Sequence, residues 1–243
     1  MIYLDNAATT AMDSEVIAAL QFYMRDQFAN SGAVYGLGLD AKNKIEEAIE
    51  SISAALKIPS SHNLIFTSGG TESNNLFIKG LCSPDKMTAY SGLEHPSIVE
   101  TLHSFKEFGN EPLSLLEFSK KGNLDLSCLP LLKEKRIRLL CLSHVNNELG
   151  TINESVPLLS KLKSDAPQTR LFLDGVQAVG KIKIKKSMWQ GLSGYSVSAH
   201  KFHGPKGIGL LVYDSKLTLK PQLHGGKQQS GIRAGTLPVP LIM

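Results

Sequence analysis

Ser196-Val-Ser-Ala-His-Lys-Phe-His-Gly-Pro-Lys-Gly-Ile-Gly209 reads as an apolar strand, a loop of small and basic residues carrying Lys201, and the start of another strand. Leu171-Phe-Leu-Asp-Gly-Val-Gln177 has the same form, with Asp174 closing its strand. Working outward, residues 64–67, 87–90, 137–142, 171–173, 194–198 and 208–213 are short apolar runs that read as strands. Amphipathic stretches separate many of them. Val16, Ile17, Leu20, Met24 and Phe28 recur at helical spacing behind Asp13, a suitable N-cap, and Ile45, Ala48, Ile49, Ile52 and Leu56 do the same. A helix is expected through about Leu81, and Pro96 suits the first turn of the next. Strand–helix alternation predicts an α/β fold, a mostly parallel sheet with helices on both faces. In such sheets functional groups gather at the carboxyl ends of strands. Thr71, Asn146, Asn147, Asp174 and Lys201 all fall just past predicted strands.

Composition narrows the function classes. The 243 residues are 42% hydrophobic and 20% charged, ordinary for a globular chain long enough to bury a core. A net charge of +4 with scattered lysines gives no nucleic-acid footprint; Lys183, Lys185 and Lys186 read as a solvated face. Cys82, Cys128 and Cys141 are odd in number and widely spaced, against a disulfide scaffold or structural zinc. No run has the apolar length of a membrane span, and Asp5 interrupts any signal-peptide pattern. A cytoplasmic protein is expected.

The chemistry-bearing residues come next. A lysine and an aspartate at adjacent strand ends suit pyridoxal phosphate (PLP): the amine forms a Schiff base, and the carboxylate keeps the pyridine nitrogen protonated as an electron sink. Ser68-Gly-Gly-Thr-Glu-Ser73 joins a strand to a helix, where glycines and free N–H groups receive an anion; an ordinary capped turn is the plainer reading. His95 can stack on a ring and move protons, or be structural. Asn147 and Gln177 are neutral polar groups suited to a phenolate or carboxylate. Ser198 and His200 flank the lysine and could hold a phosphate. His200 and His203 lack a third metal ligand at recognisable spacing. Gly175-Val-Gln-Ala-Val-Gly-Lys181 imitates a P-loop, but Ile182 offers no hydroxyl for magnesium.

Taken in order, these motifs resemble the cysteine desulfurases, in the class V branch of fold-type I PLP enzymes. The resemblance is carried by Tyr3-Leu-Asp-Asn-Ala-Ala-Thr-Thr10, Phe66-Thr-Ser-Gly-Gly-Thr-Glu-Ser-Asn74, Glu94-His-Pro96, His144-Val-Asn-Asn-Glu-Leu-Gly150, Asp174-Gly-Val-Gln177, Ser198-Ala-His-Lys-Phe-His-Gly-Pro-Lys-Gly207 and Gly231-Ile-Arg-Ala-Gly-Thr236. It implies that Lys201 carries PLP and that Asp174 pairs with the pyridine nitrogen. It implies that Gln177 contacts the ring hydroxyl, with Asn147 near it and near the substrate carboxylate. His95 would stack on the ring and assist proton transfer, while Gly70, Thr71, Ser198 and His200 hold the phosphate. Thr236 would reach the phosphate of a neighbouring subunit in a homodimer. L-Cysteine would yield L-alanine and a persulfide for iron–sulfur cluster or thio-cofactor synthesis.

The chain also departs from that pattern. Ser31, Gly32 and Tyr35 replace a usual proline, serine and histidine, and Lys227 and Gln229 a usual glycine and acid. The resemblance divides the chain into residues 1–14, packing with a small domain, a PLP-binding large domain at 15–236, and residues 237–243, the start of a C-terminal domain of roughly a hundred residues or more that the sequence lacks. That domain would bring the sulfur-accepting cysteine and a substrate-gripping arginine; none of the three cysteines occupies the catalytic position. A completing C-terminal chain or a sulfur-acceptor protein is therefore an expected partner. Apolar surface around Leu237, Val239, Leu241 and Ile242 is expected to be exposed. The alternatives are another class V enzyme, such as a selenocysteine lyase or aminotransferase, and an inactive truncated remnant.

Overall fold

The computed structural model describes residues 2–82, 86–109, 111–115 and 118–243; Met1, at the head of the 1–14 segment, lies outside them. Among the described residues, seven strands form one sheet: β1 (His62–Thr67), β2 (Thr88–Ser91), β3 (Leu113–Leu115), β4 (Leu139–Ser143), β5 (Arg170–Asp174), β6 (Gly194–Ser198) and β7 (Gly209–Asp214). Their spatial order is β1-β7-β6-β5-β4-β2-β3. The pairings from β3 through β6 are parallel, and only β7 runs against its neighbours. The expected mostly parallel α/β sheet is what forms.

Strands β4, β5 and β7 read as near-continuous apolar runs because both faces are covered. Leu140, Leu142, Leu171, Leu173, Tyr195 and Val197 point to one core. Helices α2 (Gly36–Leu56), α5 (Leu129–Glu134) and α6 (Ser155–Asp165) cover it. Leu139, Cys141, Phe172 and Leu211 point the other way, beneath α3 (Gly70–Leu81) and α4 (Pro96–His103). Phe77 of α3 stacks on Phe172 at 4.6 Å between centroids. The two-residue period of a strand sends alternate side chains to the two cores. It also places Asp174, one position past Leu173, on the α3 side with Phe172.

Helix α1 (Ser14–Arg25) starts where Asp13 predicts: Asp13 Oδ1 accepts from the Glu15 N–H at 2.9 Å. Nothing on this helix is fully buried, although its apolar residues recur at helical spacing. The apolar tail differs from the sequence expectation. Val239 and Ile242, on the short helix α7 (Val239–Ile242), are only 2% and 8% exposed and join the main core, with α7 packed against α1 and α2. Leu237 and Leu241 are half-buried against it. A prolyl turn bends the tail back onto the domain, which removes the exposed patch predicted there. Exposed apolar residues gather instead in the stretch after α1, at Phe28, Val34, Tyr35 and Leu37.

Candidate active site

At the carboxyl ends of β4, β5 and β6 lies a cleft of about 410 Å³. Asp174 sits in its floor, 7% exposed. Its Oδ2 accepts from Asn74 Nδ2 at 2.8 Å, and its Oδ1 from the Val176 N–H at 3.0 Å. The other Asn74 N–H goes to Ser97 Oγ at 2.8 Å. That hydroxyl is then free to donate to His95 Nδ1, 2.8 Å away, which also accepts from the Ser97 N–H at 3.1 Å. One chain of hydrogen bonds thus runs from the strand-end carboxylate to the imidazole that caps α4. It places the proton of a neutral His95 on Nε2.

Lys201 closes a turn of 3-10 helix, Ala199–Lys201, directly after β6. Its Nζ donates to the carbonyls of Ala7 and Ala8 at 2.6 and 2.8 Å. Burial holds this amine below the ordinary lysine range; the Lys181 charge adds to the effect, while Asp174 and Asp5 oppose it. The N-terminal segment is tied to the lysine loop by its backbone as well. Thr10 N donates to His200 O at 2.9 Å and Asp13 N to His203 O at 3.0 Å. Gln177 is engaged on both sides: Nε2 donates to Ala7 O at 2.7 Å, and Oε1 accepts from Lys181 Nζ.

The turn from β1 into α3 forms one wall. Gly69 has φ +152°, outside the range favoured by other residues, and a Cβ on Gly70 would meet Val176 Cγ2 at 2.6 Å. Thr67 Oγ1 lies 2.7 Å from Ser73 Oγ and ties the turn shut from within. Beside His95, the half-buried Glu94 accepts from Ser91 Oγ and Ser143 Oγ, both at 2.5 Å. Burial, with Asp174 nearby, pushes its carboxyl up to about 7 despite those bonds.

Nine of the ten site residues anticipated from sequence line this cleft: Gly70, Thr71, His95, Asn147, Asp174, Gln177, Ser198, His200 and Lys201. Thr236 does not; it is exposed outside the cleft. Asn146 is a loop-former, with Oδ1 accepting from the N–H groups of Glu148 and Leu149. Asn74, Ser97 and Ser143 line the cleft without having been singled out, as do Asp5, Ala7 and Ala8. A signal for Asn74 was available: it lies one helical turn past Gly70 and Thr71, on their face of α3. The P-loop imitation at 175–181 is a series of turns with no α-helix directly behind it. Cys82, Cys128 and Cys141 are buried, and none lines the cleft. Among the described residues, no three His, Cys, Asp or Glu side chains are grouped to hold a metal ion, and no helix is long and apolar enough to cross a membrane.

The sheet order and the strand-end lysine and aspartate define an α/β enzyme domain. Residues 2–243 match the family model described as aminotransferase class-V, and the chain belongs to that family, whose members work with PLP. The chain is 37% identical over 239 residues to a cysteine desulfurase IscS of Dictyoglomus turgidum, covering 97% of this chain and 59% of the relative. It is 32% identical to the cysteine desulfurase IscS of Methanosarcina thermophila, covering all of this chain and 60% of the relative. Among solved structures, a NifS-like protein superposes with a TM-score of 0.92 at 31% identity, covering 99% of this chain and 66% of that one. SspA in complex with cysteine does so at 0.90 and 31%, covering 100% and 70%. The chain therefore spans about 60% of the length of the curated relatives it matches.

Proposed function

We propose that this chain is the PLP-binding domain of a cysteine desulfurase. The observation that carries this reading is the convergence of Lys201, Asp174, His95 and the 68–71 turn on one cleft. The residues fit the cofactor. Asp174 is a buried carboxylate already oriented by two donors. Lys201 has its amine held toward the neutral, nucleophilic form. Gly70 leaves open a turn that a side chain would fill. Bound there, PLP supplies an electron sink for substrate bonds.

Each residue then has a role. Lys201 would hold the cofactor, and Asp174 would keep a proton on its ring nitrogen. The helix start at Gly70 and Thr71, with Ser198 and His200, receives the phosphate. Gln177 and Asn147 meet the ring hydroxyl and the substrate carboxylate. With Nδ1 engaged by Ser97, His95 would present Nε2 to the cofactor and substrate as the group that moves a proton. The net reaction takes L-cysteine and a protein thiol to L-alanine and a protein persulfide. The substrate C–S bond breaks, an S–S bond forms, and the substrate carbon gains hydrogen. Because the three cysteines lie away from the cleft, the thiol belongs to further polypeptide or to a separate acceptor protein. Thr236, exposed beside the domain, faces a second copy in a homodimer, and the setting is cytoplasmic.

The relatives' names and SspA's bound cysteine support this substrate. The test is product analysis from L-cysteine with PLP and the C-terminal segment of a relative supplied. Alanine with protein-bound persulfide supports the reading. A keto acid product, as from an aminotransferase, overturns it.

A further inference from the structure

Residues 228–236 reach back to the cleft's outer wall. Gln229 and Ser230 both lie in the left-handed region, at φ 50° and 59°. This bend delivers the Gln229 amide to the backbone of Phe66: Oε1 accepts from the Phe66 N–H at 2.6 Å, and Nε2 donates to the Phe66 carbonyl at 2.9 Å. Strand β1 is a sheet edge, and alternate residues of an edge strand present both groups outward. Gln229 thus acts as a one-residue strand, two positions before the turn at 68–71.

Four residues on, Arg233 grips the other flank. Its Nε and Nη2 donate to Glu72 Oε1 and Oε2 at 2.8 and 3.2 Å, with both side chains less than one-fifth exposed. Glu72 Oε2 also accepts from the Ser68 N–H at 2.7 Å. Burial alone would raise the Glu72 carboxyl, but the bonds from Arg233 and Ser68 hold it below its ordinary value. A fixed anion in the first turn of α3 repels an incoming phosphate unless a cation neutralises it.

We propose that Arg233 and Gln229 are positioning residues that hold the 68–71 turn in its anion-receiving shape, so that these two side chains set phosphate affinity without touching the phosphate. This rests on the reading of that turn as the PLP phosphate site. Gln229 suits the task as an amide, because a carboxylate there would accept from Phe66 but also face its carbonyl oxygen.

The test is equilibrium binding of PLP and of pyridoxal, which has the same aldehyde but no phosphate. It uses the full chain as wild type, Arg233→Gln, Gln229→Ala and Arg233→Gln/Glu72→Gln. Arg233→Gln should weaken PLP about tenfold and leave pyridoxal within about twofold. Gln229→Ala should act in the same direction. Adding Glu72→Gln should restore most of the loss by removing the stranded carboxylate. If PLP and pyridoxal weaken equally, or the PLP-to-pyridoxal ratio is unchanged while wild type binds PLP at Lys201, the brace is overturned and the PLP reading stands. If wild type binds neither, both are overturned.

Discussion

Lys201 and Gln177 donate to the same atom, the carbonyl oxygen of Ala7, at 2.6 and 2.7 Å. The N-terminal segment is therefore part of the cleft. Its carbonyls stabilise Lys201 as an ammonium, in opposition to burial and Lys181. A chain beginning at Thr9 should react with PLP about fivefold faster at neutral pH, the scale of about 1 kcal/mol for one net hydrogen bond. Stopped-flow absorbance would measure this. A slower reaction would show that the segment assembles the cleft rather than restraining the amine.

Asn74 bridges Asp174 and Ser97 with its two N–H groups. Asn74→Ala strands a buried carboxylate and should destabilise the chain by about 1–3 kcal/mol, read by urea unfolding. It should also weaken PLP binding by loosening Asp174. Unchanged unfolding would mean that solvent replaces the amide.

Glu94 gives a pH signature. Its folded value, about 7, lies above its ordinary 4.5, so the folded state takes up a proton more readily than the unfolded chain. Its contribution is fully present below about 4.5 and is lost as pH rises through 7. Glu94→Gln should therefore gain stability over wild type between pH 5 and pH 8, by of order 3 kcal/mol at most. Equal melting shifts at both pH values would contradict this.

His144 works in the opposite sense. Burial lowers it to about 4, below its ordinary 6.5, and Nδ1 lies 2.8 Å from Tyr195 Oη. Stability from this neutral histidine is present above 6.5 and is lost as pH falls through 4. Tyr195→Phe removes its partner and should cost about 1–3 kcal/mol at pH 7. A cost below about 0.5 kcal/mol in thermal melts would sink the claim.

Gly70→Ala forces a Cβ to within 2.6 Å of Val176 Cγ2. A β-branched neighbour yields poorly, so the cost should be about 1–3 kcal/mol. Val176→Ala in the same chain should recover part of it. Failure of the pair to recover would place the strain in the turn itself.

Much of this was legible because local chemistry and the global fold agree. Asp13 and Pro96 mark helix starts where helices start. Strands buried on both faces announce themselves as apolar runs. The three-residue edge strand Leu113–Leu115 was not legible, since so short a run carries no periodic pattern. Nor was the burial of Val239 and Ile242, which depends on a tertiary contact that no local pattern encodes. In the cleft, residues acting through side chains after strands could be read. The Ala7 and Ala8 carbonyls could not, because backbone groups contribute without a residue-type signal. Glu94 adjoins His95 in sequence, yet only its burial among Ser91, Ser143 and Asp174 reveals its raised affinity for a proton.

The most direct measurement is borohydride reduction of the PLP-treated chain, followed by peptide mass mapping beside Lys201→Ala. A phosphopyridoxyl group on Lys201, absent from the variant, is the predicted result. Label scattered over surface lysines, or undiminished in Lys201→Ala, would contradict it.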